Sequence, residues 1–231
     1  MPDGFTDLPL FPLETVLFPH AELRLHIFED RYRQMVRACI ENGTTFGIVL
    51  IRSGFVVDGP AEPFMVGTQV SITSAHTYAD GKIDLHLHGV DRFRIRKLDD
   101  SSAVLHGQIE VLNEDPVPDT EHAAEVVAEA KEAFERLVRR ILSRPDFAIQ
   151  VQFPPDPTEL SFAIANLLHF DTREKQLLLE MTDTIQRLEC LLPKLESQLE
   201  METDDEIFQV VEASRVHQVT HEELSQWSGP N

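Results

Sequence analysis

Residues Leu8–Asn42, LPLFPLETVLFPHAELRLHIFEDRYRQMVRACIEN, decide the fold of this chain of 231 residues. The first part carries two prolines among apolar residues, which favours a strand at the edge of a sheet. Apolar and polar residues then alternate from Glu22 to Ile27, which predicts a half-buried strand. From about Glu29 the apolar spacing becomes helical, and Asn42-Gly43 ends the predicted helix.

Further short strands are predicted up to about residue 112. Residues 46–51 form an apolar run typical of a strand that is buried on both faces. An alternating pattern in residues 64–78 and again after the hairpin signal Asp80-Gly81 predicts two paired strands. Gly89 interrupts the second of these and indicates a bulge or a barrel corner. With a last strand in residues 103–112, six or seven strands and one early helix predict a closed or nearly closed barrel or a sandwich.

The remainder of the chain has helical patterns. A junction in residues 113–119 contains two prolines and three acidic residues, and a long amphipathic pattern follows in residues 120–143. Later helices are predicted to start after Asp156, after Asp171 and after Thr182 or Asp183, because short polar side chains there can cap a helix N-terminus.

Composition limits the function classes. The chain has 40 acidic and 20 basic residues and a formal net charge of -20, which argues against binding to nucleic acid or to an anionic membrane. The N-terminus lacks the features of a signal peptide, and no apolar run is long enough to span a membrane. We therefore expect a cytoplasmic protein. Cys39 and Cys190 lie in apolar helical patterns and are predicted to be structural free thiols.

Several motifs resemble the Lon N-terminal (substrate-binding) domain family. They are LPLFPLETVLFP at residues 8–19, F-x-x-R-Y at residues 28–32, GVDRFRI at residues 89–95 and EKQLLLE at residues 174–180, followed by Arg187-Leu188. The order and spacing of these motifs are similar to the family over roughly residues 5–200.

The resemblance implies an α+β fold, in which an N-terminal PUA-like β-barrel with one inserted helix is followed by a C-terminal helical bundle. We predict that residues 1–115 form the barrel and residues 116–200 the helical bundle. Residues 201–231 are predicted to be an acidic tail, with a short helix as the alternative.

The catalytic machinery of a complete Lon protease is not predicted here. Gly81-Lys82 fails the phosphate-binding pattern G-x-x-x-x-G-K-[ST] at two positions, and no G-x-S-x-G motif is found. His86 and His88 share one strand face, but Leu85 and Leu87 oppose them, so that face is predicted to be the solvent side. We predict a protein that is not an enzyme, with no cofactor and no metal site; a hydrolase with an unrecognised site is a remote alternative.

Candidate binding residues are apolar side chains in segments that should be exposed. They lie in a Gly/Pro loop and in a proline-bounded linker: Phe55, Val57, Phe147, Ile149 and Phe153. Such residues can grip unfolded chains, although docking onto their own domain is the commoner outcome. An exposed sheet edge could add backbone pairing.

Arg92 is the sixth candidate. Arg92, Arg94 and Arg96 alternate with Phe93 and Ile95, and we favour a solvent-facing strand whose arginines pair with acids such as Asp84. The alternative is a basic stripe that receives acidic segments.

The leading hypothesis is a non-enzymatic polypeptide-binding module. It would recognise unfolded or damaged proteins, or act as an adaptor for a protease or chaperone partner, without nucleic acid or membrane partners. The alternative is a small-ligand pocket at the mouth of the barrel, lined in part by Arg92 and Tyr78. A homodimer is left open.

Overall fold

The computed structural model describes residues 5–52, 62–142 and 153–200, and the chain divides into two compact units after Leu112. The elements of the first unit are β1 (Thr6–Leu13), β2 (Glu22–Ile27), α1 (Asp30–Asn42), β3 (Phe46–Ile51), β4 (Pro63–Thr77), β5 (Ile83–Asp99) and β6 (His106–Val111). The second unit contains α2 (Glu121–Leu142), α3 (Pro157–Leu167), α4 (Thr172–Glu180) and α5 (Thr184–Leu199). The predicted α+β fold is confirmed.

Five strands of the first unit close into a barrel. β1 runs parallel to β3 and antiparallel to β6, β6 pairs with β5, and β4 joins β5 to β3. Side chains of alternate residues fill the interior because successive residues of a strand point to opposite faces. The enclosed core includes Leu10, Val49, Phe93, Ile95 and Ile109, each at most 3% exposed.

β4 and β5 are 15 and 17 residues long, so the prediction of short strands is wrong for these two. They continue past the barrel, and β2 pairs with residues 83–88 of β5. We call the three-stranded sheet of β2, residues 71–77 of β4 and residues 83–88 of β5 the extension. It starts next to Gly89, where the pairing of β4 with β5 shifts its register, in agreement with the predicted bulge or corner. An added Cβ at Gly89 would lie 2.4 Å from the carbonyl oxygen of Phe18.

Helix α1 lies where the sequence predicted it. It buries Tyr32, Met35, Val36 and Cys39, which share one helical face. Gly43 ends it with φ 61°, a left-handed conformation that glycine adopts at low cost.

The second unit begins each of its last three helices at a predicted cap. The carboxylates of Asp156, Asp171 and Asp183 accept backbone N–H groups of the first helical turns. Arg187 is fully buried among these helices. Its guanidinium donates hydrogen bonds to Glu114 at 2.9 Å and to the Ser161 hydroxyl at 2.8 Å. These bonds stabilise a charge that would be costly to bury without partners.

No helix in the described ranges is long and apolar enough to cross a membrane. The predicted tail of residues 201–231 lies outside the described residues.

Candidate functional site

The extension leaves one side of β4 without a strand partner among the described residues. Tyr78 donates its backbone N–H to the carbonyl of Lys82 at 2.9 Å. Hydrogen-bonded and non-hydrogen-bonded pairs alternate along an antiparallel ladder, and the register pairs His76 with Asp84. The backbone N–H and C=O groups of Ala75 and Thr77 therefore point away from β5.

The opposite side of the extension is the outer side of β2. Gly89 donates its N–H to the carbonyl of Ala21 at 2.9 Å, in the register that pairs β2 with β5. By the same alternation, the backbone groups of Glu22, Arg24 and His26 point away from β5. Within residues 5–52, 62–142 and 153–200, no strand pairs with either outer side of the extension, so a further strand could add to each side.

The two sides differ in their side chains. Residues 74–77 of β4, which we call the β4 edge, have the sequence SAHT and are all exposed. A register shift between Ile72 and Ser74 separates them from the rest of the strand. Residues 22–27 of β2, which we call the β2 edge, carry a glutamate and an arginine. Because charged side chains on an edge strand discourage pairing with another chain, the β4 edge is the more accessible of the two.

A row of polar side chains crosses one face of the extension. The carboxylate of Asp84 hydrogen-bonds His26 Nδ1 at 2.6 Å and accepts the hydroxyl of Tyr78 at 2.5 Å. The Tyr78 hydrogen bond, followed by that of His26, lowers the pKa of Asp84, and the same contact with Asp84 raises the pKa of Tyr78. The His76 ring meets Tyr78 edge-on, with ring centroids 4.7 Å apart.

A cavity of about 420 Å³ lies between α1 and residues 102–106. Met35, Ala38 and Val104 contribute apolar surface. Arg31 also lines the cavity, and its guanidinium donates a hydrogen bond to Glu29 at 2.8 Å. Cys39 also lines the cavity, but burial raises the pKa of its thiol. A protonated thiol is a poor nucleophile, so the cavity is suited to binding rather than to covalent catalysis.

Four of the predicted site residues, Phe55, Val57, Phe147 and Ile149, lie outside the described residues. Phe153 is half-buried, and its ring packs edge-on against Phe134 of α2, with centroids 5.5 Å apart. It therefore contributes to packing within the second unit.

The interpretation of Arg92 as solvent-facing is wrong, because its side chain is only 3% exposed. It lies opposite Thr68 in the barrel wall, where Phe93 fills the interior beside it. Arg96 is exposed and pairs with Glu110 on β6. The expected pairing with an acid on a neighbouring strand is therefore confirmed for Arg96, with Glu110 in place of Asp84. The predicted pocket at Arg92 and Tyr78 does not coincide with the cavity beside α1.

The predicted opposition of leucines and histidines on β5 is confirmed. Leu85 and Leu87 are at most 1% exposed, whereas His86 and His88 are partly exposed on the other face. In the described part of the chain, no three histidine, cysteine or acidic side chains are close enough together to hold a metal ion.

The β4 edge and the Asp84 row were not predicted as a site. The available signal was the run without Lys, Arg, Asp or Glu in residues 73–79, before the Asp80-Gly81 hairpin. The pairing of Asp84 with a histidine 58 positions earlier depends on the register of β2.

Comparison with known proteins places residues 7–197 in a single family, the ATP-dependent protease La (LON) substrate-binding domain. The chain is 28% identical over 200 residues to the Lon protease of Desulfovibrio desulfuricans, covering 85% of this chain and 23% of that protein. It is 26% identical over 200 residues to the Lon protease of Escherichia coli, covering 84% of this chain and 25% of that protein. It thus spans about a quarter of the length of these relatives.

Two solved structures with a similar fold also come from Lon N-terminal domains. The crystal structure of a Lon N-terminal domain protein from Xanthomonas campestris has 30% identity and a TM-score of 0.60, covering 81% of this chain and 98% of that one. The N-terminal domain of a Mycobacterium avium complex Lon protease has the same fold at 18% identity, with a TM-score of 0.59, covering 83% of this chain and 98% of that one. The sequence and the fold lead to one conclusion: this chain belongs to the Lon substrate-binding domain family.

Proposed function

We propose that this protein is a non-enzymatic module that binds unfolded or damaged polypeptides and brings them to a protease or chaperone partner. The family match and the Lon proteases among its relatives support a role in binding protein substrates. Recognition of unfolded chains is our inference, and it depends on the surface that this chain offers to an extended segment.

The β4 edge is the observation that carries the proposal. Ala75 and Thr77 each present an N–H and a C=O to one side, and residues 74–77 include no Lys, Arg, Asp or Glu. An extended segment that pairs with them would form backbone hydrogen bonds, which every residue except proline can supply. Such binding tolerates many sequences, as a receptor of unfolded proteins requires.

A folded protein hides most of its backbone hydrogen-bonding groups in its own helices and sheets. An unfolded or damaged chain exposes them. An open edge therefore selects for the unfolded state itself, without a fixed sequence motif.

The test is the fluorescence anisotropy of a labelled, permanently unfolded polypeptide titrated with this protein. Ala75→Pro removes an outward N–H and leaves the ladder to β5 intact, so we expect at least tenfold weaker binding. Arg24→Pro is the matched control, because its N–H also points outward, on the β2 edge. Both variants should keep the far-UV circular dichroism of the parent protein.

Binding that persists at moderate salt would agree with backbone pairing, since screening weakens contacts that depend on charge alone. Equal affinities for the parent and the Ala75→Pro variant would place the polypeptide elsewhere. No saturable binding at tens of micromolar would contradict the proposed function.

A small-ligand receptor is a second candidate, and the cavity beside α1 favours it. Its volume of about 420 Å³ falls within the range of small-molecule sites, and an apolar lining with a few polar groups is typical of them. Native mass spectrometry of protein purified from its own host would show a retained ligand as added mass. Ala38→Trp, which fills the cavity from α1, should remove that mass; a bare chain mass in both proteins would contradict this candidate.

A further inference from the structure

We infer that the β4 edge prefers extended segments that carry Asp or Glu opposite His76, and that this preference is stronger in acidic than in neutral solution. The inference rests on the proposed function and names the chemistry of the segment that the edge selects.

The position of His76 within the edge follows from the ladder. An antiparallel strand added to β4 would form its hydrogen-bonded pairs at Ala75 and Thr77, whose backbone groups point outward. His76 lies between them and would face its partner in a non-hydrogen-bonded pair, where the two Cα atoms are about 4.5 Å apart. Side chains of such a pair lie on the same face of the sheet and contact one another directly.

The His76 ring is available to a bound chain. The two oxygens of Asp84, its neighbour on β5, bond to His26 and Tyr78. Within the described ranges, neither ring nitrogen of His76 has a hydrogen-bond partner, and the side chain is exposed. An imidazole gains a second N–H donor and a positive charge on protonation, so His76 can then bind a carboxylate of the added strand.

The charged groups around His76 favour an acidic partner at low pH. The groups that face it are Asp84 and His86 from β5, His26 from β2 and Tyr78 from the turn. At the turn, Asp80 and Lys82 form an ion pair of 2.9 Å. Asp84 is the one carboxylate among the groups that face His76, whereas two of the others are imidazoles, which carry a positive charge when protonated.

The wider charge of the protein makes this surface distinctive. The chain carries a formal net charge of -20 with neutral histidines, which disfavours the approach of acidic segments to most of its surface. Protonated imidazoles at His76 and at its neighbours His26 and His86 would offset that negative charge locally. Selection of acidic segments there would depend on pH, whereas backbone pairing would not.

The experiment compares two strictly alternating ten-residue peptides, Thr-Glu and Thr-Gln, each repeated five times. In these peptides every second side chain lies on the face that carries His76. In each register that puts Glu or Gln on that face, one of these side chains therefore lies opposite His76. Affinities are measured by competition against the labelled unfolded polypeptide at pH 7.5 and pH 5.5. We expect the Glu peptide to bind no better than the Gln peptide at pH 7.5, because the net charge of -20 disfavours acidic segments. The ratio of Glu to Gln affinity should then rise about two- to fivefold at pH 5.5, the range of a single cross-strand pair.

Three variants assign the effect. His76→Gln should abolish the rise in the ratio, while His76→Lys should give a preference for Glu at both pH values. His88→Gln is the matched control. His88 lies on the same face of the sheet as His76 but farther along β5, where it pairs with Glu22 and Ser71. It should leave the rise unchanged.

The two proposals fail in different ways. If both peptides compete equally at both pH values, and Ala75→Pro still weakens them, the acidic preference is overturned while the polypeptide-binding function stands. If His76→Gln retains the rise, another group causes it and the assignment to His76 is overturned. If neither peptide nor the unfolded polypeptide binds at either pH, the proposed function fails and this inference fails with it.

Discussion

The two edges of the extension have the same backbone geometry and opposite side-chain chemistry. Both pair with β5, and both direct alternate backbone groups outward. The β2 edge carries Glu22 and Arg24, whereas the β4 edge is SAHT. The difference shows that an open edge becomes a candidate site through the absence of the charges that protect other edges.

The comparison also separates stability from binding. The core strand β5 holds both edges in place, so a change in its buried residues should affect them equally. A change in the edge residues themselves should alter binding while leaving the fold intact.

The largest expected effect is on the strand that the two edges share. Leu85 is 0% exposed and lies opposite Leu25 on β2 and Ala75 on β4. Leu85→Ala should lower the free energy of unfolding by about 2–5 kcal/mol, because it removes buried methyl groups and leaves a cavity. Urea denaturation measures the change. His86→Ala, on the partly exposed face of the same strand, is the control and should cost less than about 1 kcal/mol.

If Leu85→Ala and His86→Ala lower the free energy of unfolding by similar amounts, Leu85 does not belong to a buried face and His86 to an exposed one. The distinction between its two faces would then fail.

The next effect concerns the corner where the extension leaves the barrel. Gly89→Ala should cost about 1–3 kcal/mol, since its Cβ would lie 2.4 Å from a backbone carbonyl oxygen that cannot move freely. In Gly107→Ala the nearest atom is Leu10 Cδ1 at 3.1 Å, a side chain that can shift. Thermal denaturation should therefore rank the Gly89 variant as the less stable; the reverse order would contradict the account of the corner.

Local chemistry explains why much of the fold could be predicted. The helix caps at Asp156 and Asp171, the Asp80-Gly81 turn and the end of α1 at Gly43 all depend on residues a few positions apart. The alternation of Leu85 and His86 likewise indicates the buried face directly. These features act within one element, and the sequence shows them.

Features that depend on register could not be predicted in the same way. The alternation of Arg92, Arg94 and Arg96 indicates that they share a face, but burial changes along β5 as it passes from the barrel wall to an exposed end. Arg92 is therefore buried and Arg96 exposed. The pairing of Asp84 with His26 and the outward direction of Ala75 follow from which strands become neighbours, which the alternation within each strand does not determine.

A smaller effect is expected when the charges of the two edges are exchanged. Ala75→Lys should weaken binding of the unfolded polypeptide about three- to tenfold, because a charged side chain protects an edge. Glu22→Thr with Arg24→Thr should create a second binding edge and raise the measured stoichiometry. Both changes are on the surface and should alter the free energy of unfolding by less than about 0.5 kcal/mol.

Anisotropy and analytical ultracentrifugation would measure the two outcomes. If removing the charges of β2 leaves the stoichiometry at one, charge alone does not distinguish the edges, and the geometry of the β4 edge must contribute.

The smallest effect is expected from the row that joins the two edges. The hydrogen bonds from Tyr78 and His26 lower the pKa of Asp84, so the carboxylate stabilises the folded state above about pH 4, where unfolded aspartate is ionised. This contribution is lost as the pH falls through the lowered pKa. Because Asp84 is about 41% exposed, solvent screening limits the loss in Asp84→Asn at pH 7 to about 0.5 kcal/mol. Urea denaturation at pH 7 and pH 3 should show this loss shrinking at the lower pH. A loss that grows on acidification would contradict the lowered pKa of Asp84, because it would mean that the folded state favours the protonated carboxyl group.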